Sequence, residues 1–230
     1  MREIVLDTET TGFEPAEGHR IVEIGAIELF NHMPTGRTFH HYVNPERAMP
    51  TEAFQVHGLG DDFLRSKPRL AEIAAAFLDF LGGDSRLVIH NAAFDMKFLN
   101  AELGWVSLPL IATDRALDTV ALARRKFPGA PASLDALCRR FGIDNSAREK
   151  HGALLDSELL AEVYLELIGG RQPDLVLAVS AGPASAGVAS GWKPGPRPAA
   201  LPPRVTEEER AAHAALVESL GEGAIWKRFG

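Results

Sequence analysis

Cysteine is almost missing from this sequence. Cys138 is the single example in 230 residues, so no internal disulfide can form and the chain suits a reducing compartment. Long apolar runs are missing as well: no stretch stays apolar for ~18 residues, and the first residues lack the basic, apolar, small-residue order of an export signal. The expectation is a cytoplasmic protein with no membrane partner. There is no positive excess either. The formal net charge is −7 and the sequence pI about 5.6, which excludes a global basic field that would gather nucleic acid. Any contact with DNA or RNA must be local, metal-mediated or supplied by a partner. Between Ala178 and Pro203, charge of either sign thins to Lys193 and Arg197 amid Ala, Gly, Ser and Pro. Such a stretch cannot bury enough surface to order itself. No segment repeats at a fixed period.

What remains is a chain that is 46% hydrophobic and 24% charged, enough to bury a real core. Glu3 to Leu6, Arg20 to Leu29 and Arg37 to Val43 read as three β-runs in close succession, an antiparallel meander. Thr51 to His57 and Pro68 to Leu81 read as helices, and Leu87 to Ile89 as a short strand. Asn91 is positioned to cap a helix reaching about Leu103. Leu108 to Ala112 looks β-like, followed by helices over 115–126, over 133–141 from a Ser133 cap, and from Leu154 to Ile168. Strands first, then strands alternating with helices, give an α/β layer fold, a mixed sheet with flanking helices over residues 1–170. A linker over 171–205 follows. A short helical tail over 206–230 opens with the capping pair Thr206 and Glu209, and Ala212, Leu216 and Leu220 form an apolar stripe.

The acids are where the chemistry gathers. The first β-run ends in Asp7-Thr8-Glu9, and on a strand residues two apart share a face. Two like charges at the end of a core strand are costly unless a cation joins them, and oxygen ligands suit a divalent metal. A strand that simply ends in solvated acids is the plainer reading. Asp95 falls on a helical face with Ala92, Leu99 and Leu103, and Asp156 on the stripe of Leu159, Leu160, Val163 and Leu167. An inward carboxylate needs a partner. For each alone a first-turn backbone N–H would serve, whereas four acids from three elements are accounted for together by one metal cluster. His151 precedes Asp156 by five residues, which on a helix would set them roughly 140° apart. The two converge only if His151 lies on the loop before the helix. There it is either merely exposed or a general base, since imidazoles titrate near neutral pH.

The DxE of Asp7 and Glu9, the NxxFD of Asn91 to Asp95 and the HxxxxD of His151 to Asp156 together resemble the three motifs of the DEDDh exonuclease family. Longer segments, FQVHGLGDDFL from Phe54, SLDALCRRFGIDNSAREKHGALLD from Ser133 and TEEERAAHAALVESLGEGAIWKRF from Thr206, resemble its proofreading branch, which serves bacterial replicative polymerases. The resemblance implies a ribonuclease H-like fold and 3′ to 5′ removal of mispaired nucleotides from a single-stranded or frayed 3′ DNA end. It implies two Mg²⁺ or Mn²⁺ ions held by Asp7, Glu9, Asp95 and Asp156, with His151 as the base. It further implies that Thr10, Glu52, His57 and Phe94 approach the terminal nucleotide, although Phe94 reads equally as core and Glu52 as a first-turn helix acid. Gln172, Leu175 and Leu177 resemble a QxxLxL peptide that docks on the sliding clamp, against ordinary post-helix chain. Leu216, Leu220, Ile225, Trp226 and Phe229 imply a docking surface for the polymerase α subunit, against packing back on the domain. A small accessory subunit is left open.

Overall fold

The structure is a computed structural model that describes residues 1–146, 150–170, 205–221 and Ile225. Two compact units are distinguished, Met1–Leu177 and Ala178–Gly230. In the first, strands β1 (Arg2–Thr10), β2 (Ile21–Phe30) and β3 (Met33–Tyr42) form the meander. The short strands β4 (Arg86–Ile89) and β5 (Ala116–Asp118) extend the sheet on the other side of β1, giving the order β3-β2-β1-β4-β5. β1 pairs antiparallel with β2 and parallel with β4, so it is central and buried on both faces. That explains its unbroken apolar run.

Period-two alternation divides β1 between two cores. Ile4 and Leu6 join the cluster of Phe39, Phe77 and Leu99, packed under α3 (Leu70–Leu81) and α4 (Ala92–Trp105). Val5 joins Val88, Leu160 and Val163 on the opposite face. That face is covered by α5 (Thr119–Lys126), α6 (Leu134–Phe141) and α7 (Ala153–Leu167). Burying each such Leu, Ile or Val contributes roughly 1.5–3 kcal/mol. Two shorter helices, α1 (Thr51–His57) and α2 (Asp61–Leu64), lie between β3 and α3 in the chain.

Two expectations need correction. Leu108 to Ala112 is not a strand: the Asn100 side-chain amide bonds both the N–H of Ile111 (2.8 Å) and its C=O (3.0 Å), so Ile111 meets its backbone needs without a ladder. The fifth strand lies instead at Ala116–Asp118, where the helix was expected to begin. Asn91 precedes α4 but does not cap it by side chain. Its backbone is left-handed (φ 64°), and its N–H donates to Asp118 Oδ1 at 3.1 Å. Ser133 does cap α6, accepting from the Ala136 N–H.

In the second unit, α8 (Glu207–Ser219) carries the expected capping box. Thr206 Oγ1 accepts from the Glu209 N–H, and a Glu209 oxygen accepts from the Thr206 N–H. None of its residues is buried, and Leu216, Leu220 and Ile225 are each more than half exposed. Trp226, Phe229, Gln172, Leu175 and Leu177 lie outside the described residues.

Gly25 of β2 fixes the seat of α7. A Cβ there would lie 2.2–2.4 Å from backbone atoms of Ala153 and Leu154, and the Ser157 hydroxyl donates to the Gly25 carbonyl at 2.9 Å. Gly25→Ala must push the start of α7 off the sheet. We expect a loss of about 1–3 kcal/mol in urea unfolding, the usual cost of overpacking; an unchanged midpoint would refute this close approach.

Candidate active site

The site follows from the alternation of β1. Beyond Val5, Asp7 and Glu9 continue the face that α6 and α7 cover, while Thr8 and Thr10 continue the Ile4 and Leu6 face under α4. Each face meets a helix carrying an inward acid. Under α4, the Thr8 hydroxyl donates to Asp95 Oδ1 at 2.8 Å. On the other face, Glu9 and Asp156 bring carboxylate oxygens within 4.8 Å of each other and of a His151 ring nitrogen. Asp95 and Asp156 are buried, at 2% and 4% exposure. Both lie in the first turns of their helices, where the dipole favours negative charge.

His151 lies in the loop before α7, not on the helix. Because α7 starts only at Ala153, the ring folds back and its Nδ1 reaches Asp156 Oδ2 at 3.2 Å. A carboxylate partner makes that nitrogen the donor and leaves Nε2 with the lone pair. The loop is tied to α1 by the His151 N–H, which donates to the Val56 carbonyl at 3.2 Å. The Lys150 ammonium lies 5.3 Å from the Phe54 ring centre.

Asp7, Glu9, Asp95, Asp156 and His151 all line one cleft of about 280 Å³. Phe94 lines it too while packing against the core and against Phe98. The other expected substrate residues stand apart from the cleft lining. Glu52 is exposed on α1. Thr10 is buried and its hydroxyl is spent on the Gly12 carbonyl at 2.6 Å. His57 is buried, and burial holds its imidazole below the usual pKa, hence neutral. Its Nδ1 accepts from the Leu59 N–H, so Nε2 carries the proton and faces the Thr10 backbone.

Sequence reasoning missed Thr8, His90, Ser133, Leu134 and Asp135, which also line the cleft. The signal for Thr8 was its place between two acids that share one face, which sends it to the other. His90 is fixed through Nδ1 by the Thr119 hydroxyl (2.9 Å), a contact across 29 residues that no local pattern announces.

The donor set fits a hard divalent cation. Four carboxylates with one imidazole offer oxygen ligands of the kind Mg²⁺ and Mn²⁺ prefer. Burial, opposed by the Thr8 hydrogen bond, pushes the Asp95 carboxyl up to about 7, and a cation beside it would favour its charged form.

Residues 4–164 match the model of the exonuclease family. The chain belongs to that family, a family of divalent-metal-dependent exonucleases, and has its ribonuclease H-like fold. The fold is shared with the nuclease domain of 3′hExo, a DEDDh family member solved bound to rAMP, at a TM-score of 0.63 and 20% identity over 73% of this chain and 91% of that one. Sequence similarity is much higher to proteins named DNA polymerase III subunit epsilon. That of Rickettsia felis is 57% identical over 175 residues, 75% of this chain and 76% of the relative. That of Escherichia coli K12 is 44% identical over 239 residues, 98% and 97% of the two chains, so the likeness runs through the tail.

An acid whose pKa is raised by folding holds its proton more tightly in the folded state. The stability this brings is full below the unfolded value of 3.8 and is lost as pH climbs through about 7. In EDTA, the melting temperature of the wild type should therefore fall between pH 5 and pH 8 more steeply than that of Asp95→Asn. Parallel slopes would show that Asp95 is not the strained group.

Proposed function

We propose that this chain is the proofreading 3′ to 5′ exonuclease subunit of a bacterial replicative DNA polymerase, acting in the cytoplasm on mispaired, frayed 3′ ends. The observation that carries the reading is the convergence of Asp7, Glu9, Asp95, Asp156 and His151 in one cleft, within a chain similar to the Escherichia coli epsilon subunit over 98% of its length.

In this reading the four carboxylates hold two Mg²⁺ or Mn²⁺ ions. Bound divalent cations supply charge neutralisation at the phosphate and lower the pKa of water there. The residues do the rest. His151 takes a proton from the attacking water at Nε2, and Asp156 steadies the imidazolium through Nδ1. Attack on the terminal phosphodiester breaks the bond to the 3′ oxygen and releases a nucleoside 5′-monophosphate. The Nε2–H of His57 would turn to the terminal nucleotide, with Glu52, Thr10 and Phe94 as further contacts. Gln172, Leu175 and Leu177 would bind the sliding clamp. Leu216, Leu220, Ile225, Trp226 and Phe229 would bind the polymerase α subunit; the exposure of Leu216, Leu220 and Ile225 supports this. A free-standing repair or RNA-trimming nuclease would need no tail, and a bridging scaffold would need no acid cluster.

Mononucleotide release from a 3′-mismatched strand in Mg²⁺ tests the chemistry. Asp7→Ala and Asp156→Ala should each reduce it more than about a hundredfold, beyond what losing a mere support of a metal ligand costs. His151→Ala should cost about 10²–10⁴-fold, the range for a general base. Activity surviving both acid substitutions would end the metal assignment.

Truncation after Ser180 tests the biology separately. It should leave nuclease activity intact while abolishing co-purification with the polymerase α subunit. Retained co-purification would refute the tail as the docking segment.

A further inference from the structure

One surface of the catalytic unit breaks the overall charge balance. Between Thr119 and Ile143 the chain places five of its 24 Lys and Arg residues but only one of its 31 acids, so this stretch is basic within an acidic protein. Arg124 and Arg125 in the last turn of α5 and Arg139 and Arg140 in the last turn of α6 are all exposed. Cations elsewhere on the domain are mostly answered by acids: Arg20 by Glu102, Arg65 by Asp62, Arg69 by Glu46 and Lys97 by Glu14. None of these four arginines has an ion pair with an acid among the described residues. Lys126 differs, since its ammonium is spent on the carbonyls of Glu166 and Leu167 at the end of α7.

The two arginine pairs are brought near each other where the Arg140 guanidinium lies over the Phe127 ring, 4.4 Å from its centre, since Phe127 directly follows α5. The surface also starts at the catalytic cleft. Ser133, the cap of α6, lines the cleft, and Arg139 stands six residues further along, roughly 9 Å at helical rise. Thr119, the first residue of α5, holds cleft-lining His90, and Arg124 is five residues on. Two helices thus lead from the cleft to unanswered guanidinium groups, with an arginine stacked on an aromatic ring between them. Phosphates in series are the chemistry this recognises, since guanidinium groups fork onto phosphate oxygens and each phosphate–cation contact releases counterions.

We propose that Arg124, Arg125, Arg139 and Arg140 form an anchoring track for the phosphate backbone of the single strand whose 3′ end occupies the cleft, a few nucleotides upstream of the scissile bond. The track rests on the exonuclease reading for its substrate. It compensates locally for a net charge of −7 that would otherwise repel the strand. It acts on the hold of the strand and not on the chemical step.

The full-length protein with Arg124→Ala, Arg125→Ala and Arg139→Ala tests this, with the three Lys replacements as charge-preserving control. Cleavage of a strand of about twelve nucleotides and of a dinucleotide is measured in Mg²⁺, and affinity for the same strand by fluorescence anisotropy in EDTA. The Ala triple should lower kcat/KM on the long strand about tenfold through KM and leave the dinucleotide unchanged. Its log affinity against log salt should flatten by about 2, from ~0.7 per lost charge on single strands. The Lys triple should recover most of both. Unchanged long-strand cleavage and affinity, or an equal loss on the dinucleotide, would overturn the track. If the wild type cleaves neither substrate, the exonuclease reading falls, and the anisotropy comparison still decides the track by itself.

Discussion

Carboxylates crowded into one cleft repel one another, and the fold can be understood as the scaffold that holds them there regardless. No single element could carry the load. β1 contributes two acids at its end, where the apolar run has already secured the strand in both cores. The other two come from the first turns of α4 and α7, where partial positive charge at a helix start offsets part of the burial. The residual strain is concentrated in Asp95, the most deeply buried of the four, which keeps its proton to about pH 7 despite a hydrogen bond from Thr8. On the proposed metal reading, folding energy from two hydrophobic cores would be returned as affinity for cations, the usual relation between a metal site and the stability of the protein around it.

The period of two in β1 organises this division. Val5, Asp7 and Glu9 look toward α7, and Ile4, Leu6 and Thr8 toward α4. Slipping the strand by one residue would bury the acids against Leu99 and Phe77 and turn the apolar side chains to the cleft. Pairing of β1 with β2 on one side and β4 on the other prevents this, and the sheet therefore serves the chemistry as much as the core.

Much of this was legible in the sequence, and for identifiable reasons. The meander showed because branched apolar runs between turn residues are a local signal. Asp95 and Asp156 showed because a charge on an apolar stripe is an anomaly at fixed spacing, and the His151 geometry was constrained by the angle per residue. What escaped reading was non-local. β5 has three residues, too few for any period, and Ile111 in the run over 108–112 is satisfied by the Asn100 amide, a side chain that no pattern in the run reveals. Asn91 looked like a cap, but the fold uses its backbone to reach Asp118. Thr8 and His90 entered the site through partners 87 and 29 residues away.

The capping box of α8 has a consequence of its own. A 13-residue helix with no buried residue gains little from packing, and helices of that length are marginal in water. By closing its own N-terminus through Thr206 and Glu209, this segment holds part of its backbone order in advance. A surface receiving it meets a partly formed rod, not a coil, and the entropy lost on contact is correspondingly smaller. If this helix is the docking segment proposed above, tight attachment would need only few side chains.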